Sequence, residues 1–492
     1  AGLLAAGTDG VQYEQICPGG GGRFMYPAFS SADPNVFFCS SDMGPCYRSE
    51  NRGYLWHTYP SAELQVSGTG INGRSSWTPD PHHSGTVWVG AARGVMRSTD
   101  NGRRFEPVDG PWQPKPGAVH PGAVQIAFDP HCPDRLAAVF DRFRHKREVR
   151  VCISDDGGKS WNASEPLPMP AGTWNRSGVR SVIFDPREDG TLLVFGSEAI
   201  LRSRDRGKNW EKLGRGLPEK DGKLSLCDAT GGGDGKQFTL YTTSKLFPKN
   251  GDSVTPGVYR SDDGGENWMP VGGSGLPHRV IKGRLPEYEW IQTSNADPQR
   301  VYVTLRGRFN FIEGYDSPEH GNVFGSNDGG KSWKPLLFTN THQKSYNVRN
   351  AVWTSDLWGW GGGPTGLAVD SADPDRVLTV VNGLYLTENG GRSWRALHAM
   401  PVEATGQRGG GMPVMSSWSY NFDPHVKGRH FLSMTDYCGF VSETAGRTWR
   451  NTLDAAAIQK QRPGYPWLSN IYNVAFDPRV PGADLRGDVG DA

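Results

Sequence analysis

The sequence predicts an all-β protein: a single β-propeller of seven or eight four-stranded blades, with eight favoured. Three observations predict this class. The 492 residues include 66 Gly and 36 Pro, which disfavour long helices because both residues cost helix stability. The aromatic content of 11 %, with 17 Trp, supplies apolar surface for a core and argues against disorder. The third observation is a short motif that recurs along the whole chain, which is typical of an architecture built from repeated sheets.

The motif reads S-x-D-x-G-x-x-W, and its eight copies begin 49 to 65 residues apart, enough for one four-stranded sheet with its loops. Four copies are clear and four are degenerate: Ser154–Trp161, Ser203–Trp210, Ser261–Trp268 and Ser326–Trp333, then Ser49–Trp56, Ser98–Phe105, Thr387–Trp394 and Ser442–Trp449. The Asp can accept backbone N–H bonds, the Gly can adopt a positive φ, and the Trp can pack between sheets. This motif, called the box below, therefore predicts a structural hairpin turn.

Each box ends a unit that begins with an apolar strand, often followed by Asp-Pro. Such dipeptides begin at Asp129, Asp185, Asp297, Asp373 and Asp423. The units predict one domain over 1–492, with blades at roughly 23–56, 78–111, 124–165, 181–215, 224–275, 291–338, 366–399 and 418–455. An N-terminal strand near 11–16 is expected to close the ring. The strand that ends at Asp477 has no box after it and is not assigned to a blade.

Four strands per blade, running from the axis to the rim, place every box on one face of the propeller. We call it the box face. The loops between the second and third strands, and those between blades, lie on the opposite face, called the loop face, where propellers usually build sites. The loop-face segments are rich in Arg, His and Tyr beside aromatic residues, including 112–122, 141–148, 276–289, 306–321 and 340–365. His82 and His83 follow an Asp-Pro turn and are expected to be surface histidines on the box face.

Charge and composition limit the partners and the location. The formal net charge is +1, so no long-range field attracts nucleic acid or an anionic membrane. The apolar stretch in the first residues is too short for a signal peptide. We nevertheless expect a secreted or periplasmic protein, and we expect it to be a monomer. Cys39 with Cys46, and Cys132 with Cys152, have spacings that hairpin disulfides would allow, but buried free thiols are an equal alternative.

The boxes resemble those of the Asp-box (BNR) propellers found in sialidases, xyloglucan hydrolases and sortilin-type receptors. The segment CSSDMGPCYRS around Asp42, with the upstream Gly19–Gly22, is similar to the start of the two-propeller xyloglucan hydrolases, and SMTDYCGFVSE around Asp436 resembles the segment that carries their other acidic residue. The resemblance implies that Asp42 and Asp436 act as acid and base across a glycosidic bond. It also departs from that family, because this chain is predicted to hold one propeller, in which ring closure makes the two blades neighbours.

The same opening also looks like single-propeller lyases that cut rhamnose–glucuronate (ulvan-type) linkages by β-elimination. We therefore expect first a polysaccharide lyase acting on an anionic, uronic-acid-containing glycan, then a glycoside hydrolase, then a non-catalytic glycan- or protein-binding propeller. The candidates for proton abstraction are His120, His145, Tyr288, His342 and Tyr346. Substrate binding is assigned to Arg144, Arg176, Arg284, Arg308, Arg349, Trp358 and Trp360. No cofactor is required, although a calcium ion on Asp42 and Asp436 is a candidate metal site.

Overall fold

The structure is a computed structural model that describes residues 5–6, 12–13, 16–19, 24–41, 46–59, 64, 77–91, 94–112, 125–141, 143–144, 146–172, 177–248, 254–278, 285–306, 323–339, 345–350, 364–381, 383–402, 406–412, 416–435, 439–452, 471–481 and 484–486. Strands and turns make up these residues, and no helix occurs among them. Within the same ranges, no apolar helix reaches the length needed to cross a membrane.

Seven sheets, each made of four consecutive antiparallel strands, form blades 1 to 7 in the described part of the chain. Blade 1 contains β3 to β6 (Phe24–Phe29, Phe37–Ser41, Cys46–Ser49, His57–Thr58), and blade 2 contains β7 to β10 (Trp77–Pro79, Val87–Ala91, Gly94–Ser98, Glu106–Val108). Blade 3 contains β11 to β14 (Gln125–Phe128, Leu136–Phe140, Arg150–Ser154, Asn162–Ala163), and blade 4 contains β15 to β18 (Val179–Phe184, Leu192–Gly196, Ile200–Ser203, Glu211–Leu213). Blade 5 contains β19 to β22 (Leu226–Gly233, Phe238–Ser244, Val258–Ser261, Met269–Pro270). Blade 6 contains β23 to β26 (Tyr288–Thr293, Val301–Leu305, Val323–Ser326, Lys334–Pro335), and blade 7 contains β27 to β30 (Gly366–Val369, Arg376–Val380, Leu384–Glu388, Arg395–Ala396).

The remaining strands lie before blade 1 or after blade 7. They are β1 and β2 (Ala5–Ala6, Gln12–Tyr13), β31 and β32 (Ala399–Val402, Gly406–Gly409), β33 to β36 (Ser417–Phe422, His430–Met434, Gly439–Ser442, Arg450–Asn451), and β37 and β38 (Val474–Phe476, Asp484–Arg486). Strands β33 to β36 form a further four-stranded sheet, which we call the outlying sheet.

The ring closes between blade 7 and blade 1. Strand β3 packs directly against β27 and β28, and one apolar cluster combines residues of both blades. The Tyr26 N–H donates to Thr365 O at 3.3 Å, and the Thr365 hydroxyl donates to Phe24 O. Trp56 Nε1 donates to Leu397 O at 3.2 Å. Since blade 7 already covers the free side of blade 1, no eighth blade stands between them.

The outlying sheet therefore lies outside the ring, with its own apolar cluster around Trp449. Gln407, in the β31–β32 hairpin, exchanges backbone hydrogen bonds with Trp449 at 2.8 Å each. On the other side, β33 contacts β37, and His425 Nε2 lies 2.9 Å from Asp477 O. His82 of blade 2 makes the same kind of contact with Asp129 O of blade 3, at 3.0 Å. The outlying sheet and β37–β38 thus meet as consecutive blades do.

Two predictions about the ring need correction, although the all-β propeller class is confirmed. Seven blades, the alternative that the sequence left open, form the ring, and the favoured eighth is the outlying sheet. The N-terminal strand was expected near 11–16 as the closing element. In the described residues Gln12–Tyr13 instead pairs with Ala5–Ala6, and blade 7 closes the ring by side-to-side packing.

The boxes form hairpin turns on the box face, as predicted. In blade 3 the Ser154 hydroxyl donates to Asp156 at 2.8 Å and accepts from the Gly158 N–H at 2.8 Å. Asp156 also accepts from the Lys159 N–H at 3.0 Å, and hydrogen bonds to its charged form lower its pKa to about 2. Gly158 has φ 84°, which only glycine adopts without strain. Trp161 completes the turn by donating its indole N–H to Gly158 O at 3.1 Å.

An arginine from each blade reaches the next blade near the box face. The bonds run from Arg48 to Asn101 O (2.7 Å), Arg97 to Gly157 O (3.1 Å), Arg135 to Asp189 (2.5 Å), Arg202 to Glu266 (2.9 Å), Arg260 to Gln299 (2.9 Å), Arg300 to Asp375, and Arg376 to Pro34 O (2.6 Å). The arginine comes from the third strand in blades 1, 2, 4 and 5, and from the start of the second strand in the other blades. The series returns to blade 1 after blade 7, which agrees with the seven-bladed ring.

The described cysteines are free thiols. Cys46 lies opposite Ser40 in the β4–β5 ladder, and Tyr47 lies opposite Cys39. Successive side chains of a strand point to opposite faces of the sheet, so Cys39 and Cys46 face different blades. The structure thus favours the free-thiol alternative for this pair.

Candidate functional site

An axial cavity of about 1030 Å³ runs between the inner strands of the ring. Near the loop face it is lined by Tyr26 and Trp290, whose rings meet edge to face with centroids 5.9 Å apart. Both residues lie in β-bulges, where the ladder shifts between Met25 and Ala28 in β3 and between Tyr288 and Ile291 in β23. A bulge re-aims side chains, so these irregular strand starts place two aromatic rings on the axis.

The box-face end of the cavity is polar, with two guanidiniums and three carboxylates in its lining. Arg52 forms a salt bridge with Glu388, and Arg376 forms one with Asp370. Asp373 also lines this end, together with neutral serine and asparagine side chains. The cavity therefore has no excess of cationic groups that would select an anionic ligand.

The second strand of each blade ends on the loop face, close to the axis, and in blade 3 that end carries a buried carboxylate. Asp141 directly follows β12 and accepts from the Ser177 hydroxyl, from the Gly178 N–H at 2.9 Å and from the Val179 N–H at 3.2 Å. Desolvation by burial raises its pKa. Asp141 thus ties blade 3 to the first strand of blade 4, which is a structural role.

By sequence register, Asp42 of blade 1 corresponds to Asp141. The register pairs Phe37 with Ser49 and Leu136 with Ser154, the first serine of each box, and the two aspartates come five residues after Phe37 and Leu136. Asp42 itself lies outside the described residues. The strand before it, β4, ends with Ser40 and Ser41, which are both buried.

The end of β4 is held by a hydrogen bond from the neighbouring blade. Trp77 of blade 2 donates its indole N–H to the Ser40 hydroxyl at 2.9 Å. Tyr47, opposite Cys39 in the same sheet, is buried, and burial raises the pKa of its hydroxyl well above its usual range. That hydroxyl is consequently neutral at physiological pH.

The second aspartate of the resemblance, Asp436, is also outside the described residues and follows β34 of the outlying sheet by one residue. That intervening residue is Thr435, whose hydroxyl is buried and has no hydrogen-bond partner in the described part of the chain. The sheets that carry the two aspartates are not neighbours in the ring. They are connected through the β31–β32 hairpin, where Gly410 O accepts from the Trp56 N–H at 2.6 Å and Gln407 pairs with Trp449.

Most of the predicted site residues lie outside the described residues, so their positions stay predictions. These are His120, His145, His342, Arg176, Arg284, Arg308, Trp358 and Trp360, together with the proposed metal ligands Asp42 and Asp436. Among the residues that the structure does describe, no group of three or more His, Cys, Asp or Glu side chains is arranged to hold a metal ion.

Four predicted site residues are described, and the structure does not bring them together into one group. Tyr288 is buried in the core of blades 5 and 6, where it donates its hydroxyl to Pro277 O, and burial raises its pKa. Tyr346 is half-buried against the core of blades 6 and 7. These placements favour packing roles for both tyrosines. Arg349 is an exposed residue beside blade 7, where its backbone N–H donates to Trp394 O at 2.8 Å.

Arg144 is an exposed residue of the loop face with a positive φ of 49°. Its Nε donates to Pro111 O at 2.6 Å, and its guanidinium lies 5.4 Å from the centre of the Phe143 ring. In blade 6, Arg306 is neutralised by Glu289 at 3.0 Å and by Glu287 at 3.4 Å. Among the described loop residues, fewer arginines are therefore available to bind an anionic ligand than the sequence suggested.

The sequence analysis did not predict that Asp141 lies at the end of β12, or that Tyr47 and Trp77 lie near the end of β4. A signal existed for Tyr47, because CYRS in blade 1 and VYRS in blade 5 place Tyr47 and Tyr259 at the same position before a box. No local pattern marks Trp77, since its contact with Ser40 depends on how blade 2 packs against blade 1.

No protein-family model matches the chain. Curated relatives include a probable oligoxyloglucan-reducing end-specific xyloglucanase of Neosartorya fischeri, 23% identical over 295 residues, which are 56% of this chain and 34% of the relative. They also include a xyloglucanase of Acetivibrio thermocellus, 22% identical over 419 residues, which are 78% of this chain and 39% of the relative. The chain thus spans between a third and two fifths of the length of these relatives.

Solved structures with a similar fold include an ancestral GH74 enzyme, with TM-score 0.64, 18% identity, and coverage of 94% of this chain and 57% of that one. The GH74 xyloglucanase from Xanthomonas campestris has TM-score 0.58 and 18% identity, with coverage of 89% of this chain and 68% of that one. These likenesses support the β-propeller fold.

The comparisons overturn the first functional prediction. The curated relatives named above, which the chain resembles in sequence, are xyloglucanases and not polysaccharide lyases. The expected β-elimination is therefore wrong, and the comparisons favour the hydrolase alternative. The histidines and tyrosines are therefore no longer candidates for proton abstraction in a lyase, and the arginines are no longer candidates for binding a uronate carboxylate. That any of these residues contacts a sugar stays a prediction.

Proposed function

We propose that the protein is a glycoside hydrolase that cleaves a neutral polysaccharide of the xyloglucan class, with Asp42 and Asp436 as its acid–base pair. The observation that carries this proposal is the sequence similarity to curated xyloglucanases, which extends over as much as 78% of the chain. This similarity agrees with the resemblance of the segments around Asp42 and Asp436 to segments of the xyloglucan hydrolases.

The placement of the flanking strands supports the two aspartates as a pair on separate sheets. Asp42 follows strand β4, whose Ser40 hydroxyl accepts a hydrogen bond from Trp77 of blade 2. Asp436 follows a strand of the outlying sheet, beside the unpaired hydroxyl of Thr435. In glycoside hydrolysis one carboxylic acid protonates the leaving oxygen, and a carboxylate on the other side of the bond activates water or attacks the sugar. Carboxylates carried by two different sheets suit this arrangement, because the sugar chain must pass between them.

A neutral substrate agrees with the charges of the described residues. Both arginines of the axial cavity are paired in salt bridges, and Arg306 is neutralised by two glutamates. Sugar rings without charge are bound through aromatic faces and neutral hydrogen bonds. A polymeric glycan is not taken up intact by cells, so we propose a secreted or periplasmic location for the enzyme.

The proposal is tested by incubating the protein with neutral xyloglucan in water enriched in heavy oxygen. We expect new reducing ends, each carrying one oxygen from the solvent. A parallel reaction with a rhamnose–glucuronate glycan should give no products and no unsaturated uronate absorbance. Failure to release reducing ends from xyloglucan or from other neutral β-glucans would overturn the proposed hydrolase.

A further inference from the structure

Two aromatic residues on the axis of the ring lie where the backbone departs from regular strand geometry. Tyr26, in the bulge of β3, has a positive φ of 51°, which is uncommon for a residue with a bulky side chain. Trp290 lies in the bulge of β23. Both residues line the axial cavity and are only half-buried. Such irregular backbone is often found where a side chain is aimed at a ligand.

The segment that leads into blade 7 holds both aromatic residues. Pro364 O accepts a hydrogen bond from the indole N–H of Trp290 at 3.1 Å, and Thr365 O accepts one from the Tyr26 N–H at 3.3 Å. The next residue, Gly366, has no side chain and so leaves room for the bulge, because a Cβ there would lie 2.9 Å from Tyr26 N. Three successive residues of blade 7 are thus fitted to the aromatic pair.

The part of the cavity around this pair is neutral and offers hydrogen-bonding groups. The cavity-lining residues within the inner strands β3, β7, β11, β23 and β27 are all uncharged. Gln292 lines the cavity two residues after Trp290, and among the described residues its side-chain amide has no hydrogen-bond partner. Gln125 of blade 3 supplies a second amide, which donates to Arg180 O at 3.3 Å. Aromatic surface and neutral polar groups therefore converge on the axis.

We infer that the axial cavity is a binding site for a neutral sugar, with Tyr26 and Trp290 as its platform and Gln292 as a hydrogen-bond partner. A pyranose ring has an apolar C–H face, which can pack on an aromatic ring, and hydroxyl groups at its edge, which need neutral partners. The volume of about 1030 Å³ reaches the upper end of the range for small-molecule sites, about 300–1,000 Å³, so a disaccharide has enough room. The inference goes beyond the proposed function, because binding here uses neither Asp42 nor Asp436.

The outlying sheet offers a matched control for the aromatic pair. Trp418 and Tyr472 also meet edge to face, with ring centroids 5.1 Å apart, but neither lines the axial cavity. In protein with fluorine-labelled tryptophans, the signals of Trp290 and Trp418 are assigned by their loss in Trp290→Phe and Trp418→Phe. We expect cellobiose, a neutral disaccharide, to shift the Trp290 signal saturably and to leave the Trp418 signal in place. Equal shifts of the two signals, or no shift of the Trp290 signal up to the solubility limit of the sugar, would overturn the inference.

Substitutions test the roles assigned to the side chains. Gln292→Leu removes the amide at similar size and should weaken cellobiose binding about three- to tenfold, as for one neutral hydrogen bond. Trp290→Leu should weaken it by about tenfold or more, because it removes the aromatic face, whereas Trp418→Leu should keep the wild-type affinity. Saturation-transfer measurements on the sugar give the affinities, and melting temperatures show that each variant is folded. Wild-type affinity in Gln292→Leu and in every folded Trp290 variant would contradict the assigned site.

Choline distinguishes a neutral sugar from a cationic ligand, because an aromatic pair can also bind a quaternary ammonium group. A shift of the Trp290 signal with choline and none with cellobiose would overturn the neutral sugar. The binding measurement needs no turnover, so it is separate from the proposed function. Cellobiose binding by a protein that leaves xyloglucan intact would overturn only the hydrolase, and cleavage of xyloglucan without a response of Trp290 to cellobiose would overturn only the axial site.

Discussion

The closed ring and the outlying sheet contain the same local elements but differ in how their inner strands are covered. Phe29, at the end of β3 in blade 1, is 8 % exposed, whereas Phe422, at the corresponding end of β33, is 66 % exposed. Trp418 and Tyr472 are likewise exposed, and the centroids of their rings lie 5.1 Å apart. The outlying sheet still forms its hairpin turns and its box. Local sequence therefore determines each sheet, whereas neighbouring blades determine the burial of its inner strand.

The largest effect is expected from truncating the box tryptophans in the two regions. Trp56→Ala removes a fully buried indole that connects blade 1 with blade 7, and it should lower the free energy of unfolding of the ring by about 3–5 kcal/mol. Trp449→Ala should destabilise only the outlying sheet and the β31–β32 hairpin. Hydrogen exchange resolved by peptide measures both effects. Equal loss of protection in blades 1 to 7 for the two variants would show that the sheet and the ring form one cooperative unit.

A smaller effect is expected from His398, a buried histidine of the ring. His398, buried at the ring closure between Phe24 and Tyr385, has its pKa lowered to about 4 by desolvation, from 6.5. Below pH 6.5 the unfolded chain binds a proton that the folded protein does not, so stability should fall between about pH 6.5 and about pH 4, by at most about 3 kcal/mol.

The variant His398→Phe should remove this part of the pH dependence, because a phenyl ring has no proton to bind. Denaturant titrations at several pH values should show a flatter stability profile for His398→Phe than for the wild-type protein. A wild-type slope in His398→Phe would mean that His398 is charged in the folded protein.

The smallest of these effects is expected from arginines at the start of second strands. Arg376→Gln breaks bonds from blade 7 to Pro34 O of blade 1 and to Asp370, and it should destabilise the ring by about 1.5–3 kcal/mol, as for hydrogen bonds to a charged group. Arg429→Gln breaks pairs within the outlying sheet, with Asp423 and Glu443, and should cost less than about 1 kcal/mol in unfolding of the ring. The melting temperatures of both variants test this prediction. A larger loss of ring stability in Arg429→Gln than in Arg376→Gln would contradict the closure between blades 7 and 1.

The sequence was sufficient to predict the sheets and their turns, because boxes such as Ser154–Trp161 carry their own hydrogen bonds. It was not sufficient to predict the number of blades in the ring. Closure depends on contacts between residues far apart in sequence, such as Thr365 with Phe24, and the outlying sheet carries the same box as the blades. The predicted lyase was wrong because the residue types in the loops do not show which charges pair: Arg306, for example, is neutralised by Glu287 and Glu289.

Asp42 and Asp141 give the most direct test, because equivalent strand ends are assigned different roles. We predict that Asp42→Asn lowers the rate of reducing-end release from neutral xyloglucan by about 10²–10⁴-fold with little change in melting temperature. Asp141→Asn should lose about 1–3 kcal/mol of stability, since an amide cannot accept all three hydrogen bonds from residues 177–179, and should keep its activity per folded molecule. Wild-type turnover in Asp42→Asn, or selective loss of turnover in Asp141→Asn, would contradict the account.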